Sequence, residues 1–142
     1  MLFRIYLRWG DKISFVEIAK MDEVPEGSMK HVEEGDTEIL LANVEGKIYA
    51  VGDRCGHMNA RLSMGRLQGT TVICPLHASQ FDVTTGKNIK EPVLTSIPGA
   101  EKVPELEKYS ERLEKIIAPV KTYDLPSFNV KIEGKSILVD IK

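Results

Sequence analysis

The chain has 142 residues, 42% of them hydrophobic, and a net charge of −2 from 19 Lys+Arg against 21 Asp+Glu. A chain of this size buries about 68–70% of the surface its unfolded form exposes, so it needs no disulfide staples to fold. The near-neutral balance, with no basic run able to follow a phosphate backbone, argues against a nucleic-acid partner, and no stretch approaches the ~20 apolar residues of a membrane span.

At the N-terminus Phe3, Ile5, Leu7 and Trp9 alternate with Arg4, Tyr6 and Arg8, as one extra strand would. Arginines inside this apolar stretch set it apart from a secretory signal core, and a cytoplasmic protein is expected. Short strands are predicted over 14–19, 29–32, 37–44 and 47–51, separated by the turn chemistry of Pro25-Glu26-Gly27, Glu34-Gly35-Asp36 and Glu45-Gly46. The last two strands, joined through Glu45-Gly46, read as an antiparallel hairpin. His31, in the 29–32 strand, reads as a structural, half-buried histidine rather than a ligand.

The section from 54 to 92 is dense in Gly, Pro, Cys and His, the composition of loops that carry function. Over 98–118 the apolar residues Leu106, Tyr109, Leu113, Ile116 and Ile117 recur at steps of three and four, with Pro104 where a first helical turn accepts it and Pro119 as the stop. An amphipathic helix packed on the sheets is the plainer reading, and a helix that docks a partner is the alternative. A second hairpin closes the chain, with Phe128-Asn129-Val130-Lys131-Ile132 alternating, Glu133-Gly134-Lys135 turning and Ile137-Leu138-Val139-Asp140-Ile141 returning. The patterning is all-β with one helix, in a single domain spanning 1–142.

The informative feature is Cys55-Gly56-His57, a spacer of sixteen residues, and Cys74-Pro75-Leu76-His77. Each segment offers one thiolate and one imidazole. In a reducing compartment the two cysteines are metal ligands or small buried residues rather than a disulfide pair. A structural zinc site normally sorts its ligands as a cysteine pair followed by a histidine pair on one tetrahedral ion. Two mixed loops suit a two-iron cluster instead, with both cysteines on one iron and both histidines on the other. With neutral imidazoles the charges of two ferric ions, two sulfides and two thiolates cancel, so an added electron meets a neutral centre. That raises the potential above that of all-cysteine clusters, into a range of roughly −150 to +300 mV.

These residues make the chain resemble a Rieske-type [2Fe–2S] ferredoxin. The likeness extends to Leu62-Ser63-Met64-Gly65 after the first loop, to Phe81-Asp82-Val83-Thr84-Thr85-Gly86 after the second, and to the flanking hairpins, covering roughly 13–97 and 119–142. The resemblance implies a small antiparallel Rieske-like β-sandwich with a cluster-binding subdomain of two loops, over about 53–92, and one inserted α-helix over about 98–118. It implies one [2Fe–2S] cluster per chain, with Cys55 and Cys74 on the buried iron, His57 and His77 on the outer one, and the two imidazole edges facing solvent. Gly56, Ala78, Ser79 and Phe81 are then the residues around the cluster: amides near Gly56 and Ala78 as donors to sulfur, Ser79 with a hydroxyl, and Phe81 lacking one. Respiratory members of the family carry an added disulfide between the loops and a tyrosine hydroxyl. Here Ala60 and Leu76 exclude the first and Phe81 the second, so a potential below theirs is expected.

The resemblance implies an electron-transfer protein, not an enzyme, relaying electrons from a reductase to an oxygenase or other terminal acceptor enzyme. A detached small subunit of a larger redox enzyme such as a nitrite reductase is the alternative, and a zinc-binding interaction module a further one. A terminal oxygenase would need two more histidines and a carboxylate for mononuclear iron, and only His31 remains in this chain. Arg54, Met58, Asn59, Arg61 and Gln80 lie where a partner would be recognised. Donor, acceptor and oligomeric state are not encoded in any motif.

Overall fold

The computed structural model describes residues 5–7, 14–57, 59–76, 78–91, 102–117 and 121–141. Among these the strands are β1 (Ile5–Leu7), β2 (Ser14–Lys20), β3 (Met29–Glu34), β4 (Thr37–Val44), β5 (Lys47–Gly52), β6 (Arg66–Gln68), β7 (Thr71–Ile73), β8 (Gln80–Asp82), β9 (Asn88–Lys90), β10 (Ser127–Phe128), β11 (Val130–Glu133) and β12 (Ser136–Asp140), with helix α1 (Pro104–Ile117) after β9. They pair antiparallel in three four-stranded sheets, in the orders β1-β2-β12-β11, β10-β5-β4-β3 and β6-β7-β8-β9.

Strand β4 holds these layers together. Ile39, Leu40, Leu41 and Ala42 are all fully buried, although successive side chains on a strand point to opposite faces. Ile39 and Leu41 pack with Ala19 of β2, Ile48 and Ala50 of β5, and Ile137 and Val139 of β12, which is the core between the first two sheets. Leu40 and Ala42 face the other way, into a second core with Val51, Val72 of β7, Phe81 of β8, Cys55 and Cys74. A strand covered on both sides needs an unbroken apolar run, which is what Ile39-Leu40-Leu41-Ala42 supplies.

The four strands predicted between 14 and 51 and the hairpin through Glu45-Gly46 are present, with Ala42 opposite Tyr49 and Val44 opposite Lys47. The N-terminal alternation also forms a strand, β1, with Ile5 opposite Val16; residues 1–4 and 8–13 lie outside the described ones. The closing hairpin differs from expectation at its start. Phe128 belongs to β10 and pairs with Ala50 of β5, whereas Val130 pairs with Val139 of β12. The chain changes sheet at Asn129, whose carbonyl accepts the Asp140 amide at 3.0 Å, and so stitches the two sheets together.

The small sheet β6–β9 was not legible in the loop-like composition of 54–92, because strands of three residues are too short to show a period. Helix α1 begins at Pro104, the expected first position. Packing on the sheets, the plainer expectation, is not met at its described apolar residues: Leu106, Tyr109 and Ile116 are all exposed. The side chains of Leu113 and Ile117 lie outside the described ones.

Candidate functional site

The two Cys/His segments are loops of one backbone plan. In the first, which follows β5, the Cys55 amide donates to the Ala60 carbonyl at 2.7 Å and the Asn59 amide to the Cys55 carbonyl at 2.9 Å. In the second, which joins β7 to β8, the Cys74 amide donates to the Ser79 carbonyl at 2.9 Å and the Ala78 amide to the Cys74 carbonyl at 3.2 Å. The fourth residue after each cysteine is left-handed, with φ of 56° at Asn59 and 59° at Ala78. That conformation suits Asn and is strained for Ala.

This plan turns both cysteines inward. Cys55 and Cys74 are buried as thiols, not as a disulfide, and share one core with Leu62, Val72, Phe81, Val83 and Leu125. His57 is buried as well, at 7% exposure, so an imidazole edge open to solvent is not found at this residue. A strap, residues 121–126, crosses the loop at the neighbouring Gly56. The Tyr123 amide donates to the Gly56 carbonyl at 2.9 Å, the Leu125 amide to Gly86 at 2.7 Å, and the Gly52 amide to Pro126 at 2.9 Å. A Cβ on Gly56 would stand 1.8 Å from the Tyr123 carbonyl oxygen, and one on Gly86 2.2 Å from that of Leu125. Glycine is required at both crossings. Met58 and His77 lie outside the described residues.

Ser79 and Phe81 are both fully buried. Phe81 is a core aromatic beside the cysteines. The Ser79 hydroxyl has no hydrogen-bond partner among the described residues, and neither has Thr122 Oγ1 in the strap. A buried hydroxyl left without an acceptor is costly, and Ser79, directly on the second loop, fits a site where a group with exposed acceptor sulfurs is to be held. The donor set agrees: two buried thiols from separate loops, each loop also offering an imidazole, are soft ligands of the kind iron–sulfur clusters take.

A charged clamp braces the first loop from outside. Arg54 donates from Nε and Nη2 to the two carboxylate oxygens of Glu38, each at 2.7 Å, and from Nη1 to the Asn59 carbonyl at 3.2 Å. Hydrogen bonding to this guanidinium holds the Glu38 carboxyl below the usual carboxylate range, and the same bond raises Arg54. Arg54 and the Asn59 backbone are thus committed to the loop itself. The sequence reading missed the strap and the clamp, since neither has a motif; the available signal was Gly56 itself, a glycine inside a ligand loop that no turn type demands.

The model of the Rieske [2Fe–2S] domain matches residues 14–123 of this chain. The ferredoxin component of a naphthalene 1,2-dioxygenase system from Pseudomonas aeruginosa is 33% identical over 127 residues, covering 89% of this chain and 95% of that protein. A ferredoxin component of naphthalene 1,2-dioxygenase/salicylate 5-hydroxylase systems from Ralstonia sp is 42% identical over 84 residues, 59% of this chain and 81% of that one. The ferredoxin of carbazole 1,9a-dioxygenase from Nocardioides aromaticivorans IC177 superposes with a TM-score of 0.67 at 22% identity, covering 90% of this chain and 98% of that chain, which establishes a shared fold. Since the domain model spans most of the sequence and the Pseudomonas relative is covered almost end to end, this chain belongs to the Rieske [2Fe–2S] domain family.

Proposed function

We propose that the protein is a one-electron carrier of an oxygenase system, and that Cys55, His57, Cys74 and His77 hold its single [2Fe–2S] cluster, the cysteines on one iron and the histidines on the other. The observation that carries this reading is the pair of loops with one hydrogen-bond plan, which bring Cys55 and Cys74 into the same core. Relatives of this length and sequence are ferredoxin components of dioxygenase systems, so an oxygenase is the acceptor and a reductase the donor. When bound, the cluster would supply a one-electron couple.

The chain's residues do the rest. The two loops bring both cysteines into one core before metal arrives, and the residues around them, Leu62, Val72 and Phe81, keep water from the thiolates. Ser79 would donate its hydroxyl to a sulfur of the bound cluster, and amides near Gly56 and Ala78 would do the same, which would favour the reduced form. Phe81 adds no hydroxyl, so the potential falls below that of members with a tyrosine there. The cluster-binding part is 53–92 and the helical interval 98–118 is an insertion. No helix among the described residues is long and apolar enough to cross a membrane, and the cytoplasm is the proposed compartment.

The test is metal analysis and low-temperature EPR of the dithionite-reduced protein. About two irons and two acid-labile sulfides per chain are expected, with a rhombic signal whose average g lies below that of all-cysteine clusters. Replacing Cys55, His57, Cys74 or His77 one at a time by Ala should abolish that signal. A colourless protein binding one zinc would overturn the reading.

A further inference from the structure

Asp53 is a fully buried carboxylate two residues before Cys55, and nothing in the cluster cage uses it. Its Oδ1 accepts the Ser63 amide at 2.7 Å, and its Oδ2 accepts the Ser63 hydroxyl and His31 Nδ1, each at 2.5 Å. A carboxylate removed this far from water is retained only with hydrogen bonds and a countercharge. The hydrogen bonds identify the countercharge. His31 Nδ1 faces Asp53, and His31 Nε2 lies 3.2 Å from Glu33 Oε1. Each ring nitrogen thus faces a carboxylate oxygen, an arrangement in which an imidazolium, with an N–H on both nitrogens, donates on both sides.

The charges around the ring leave Asp53 with His31 as its cation. Glu33 is on the same strand, β3, and is largely exposed. Glu38 of β4 comes within 3.9 Å of Nε2, but Arg54 takes both of its oxygens, and Arg61 adds a further positive charge toward it. Ser63, which grips the other side of Asp53, follows Leu62, a member of the core that contains Cys55 and Cys74. The carboxylate therefore sits between His31 of β3 and the wall of the core that contains Cys55 and Cys74.

We propose that buried Asp53 and half-buried His31 form an ion pair that sets the reduction potential, the carboxylate opposing and the imidazolium favouring the added electron. This rests on the reading of Cys55, His57, Cys74 and His77 as the cluster cage. Asp53→Asn keeps the shape of the site and removes the anion, and should raise the midpoint by on the order of tenfold in the reduction equilibrium, ~59 mV for one electron. His31→Gln removes the cation and should lower the midpoint by a similar amount. Ser63→Ala keeps both charges and should shift it less than either. Shifts in one direction for both charge variants, or no shift in loaded protein, would overturn the proposal, since a merely structural pair loses stability without opposed signs.

A second measurement needs no variant. In the oxidised wild-type holoprotein, 15N NMR of labelled histidine should show His31 with both ring nitrogens protonated at neutral pH; a singly protonated ring overturns the ion pair. Iron, sulfide and EPR analysis of each sample separates the two levels. A wild type without a cluster removes the cage and this inference with it, whereas a loaded protein with parallel shifts removes the ion pair alone.

Discussion

The two ligand loops share a backbone and almost nothing else. After the cysteine, the first has Gly56, pinned under the Tyr123 carbonyl, and the second has Pro75, exposed to solvent. At the left-handed position the first has Asn59 and the second Ala78; at the closing position the first has Ala60 and the second the buried, unsatisfied hydroxyl of Ser79. The first loop is held by the strap and by Arg54 and Glu38, and the second hangs between two short strands with Leu76 60% exposed. Equal hydrogen bonding thus solves the shared geometric problem, and unequal side chains separate the loops: the first is braced from outside, while the second exposes Pro75 and Leu76.

The sharpest way to break this comparison is at the residue after each cysteine. Gly56→Ala drives a methyl group into the strap backbone and should cost about 3 kcal/mol or more, read as lost cluster occupancy and a lower urea midpoint. Pro75→Ala, at the equivalent exposed site, should stay within about 0.5 kcal/mol. Next is the closing position. Ser79→Ala should lower the reduction midpoint by on the order of tenfold in equilibrium, ~59 mV for one electron, by film voltammetry, and should cost the cluster-free protein little stability because it removes a buried orphan hydroxyl.

Smaller effects sharpen the picture at the left-handed residues. Ala78→Gly relieves a positive φ and should raise the stability of the loaded protein by about 0.5–1 kcal/mol in thermal melts, while Asn59→Gly should leave it within about 0.5 kcal/mol. The smallest is the clamp. Because Glu38 is held below the usual carboxylate range when folded, its contribution is present at neutral pH and is lost as pH falls through that depressed value. Glu38→Gln should therefore flatten the acid limb of stability against pH and leave the limb above neutrality unchanged.

Much of this was readable from the residues. The strands of the two larger sheets have runs long enough to show alternation or continuous burial, and the Cys/His spacing fixed where the site would lie. The positive φ at Ala78 left no trace in the residues, since alanine is not a type that marks a left-handed position. What stayed hidden depends on contacts between segments distant in sequence. The bond from Tyr123 to Gly56 spans helix α1, and the His31 to Asp53 contact spans two hairpin strands, so neither leaves a local pattern. Phe128 was assigned to the last hairpin because alternation continues through it; only the packing of two sheets reveals that the chain crosses over at Asn129.

Strand β4 gives one face to the interior of the sandwich and the other to the cysteine-bearing half. A partition shared in this way transmits damage: stripping iron from the molecule loosens residues that also support the far interior. The amide protons of Leu40 and Leu41 should accordingly exchange with deuterium at nearly the same rate as each other in the holoprotein, and should both speed up together once the iron is chelated.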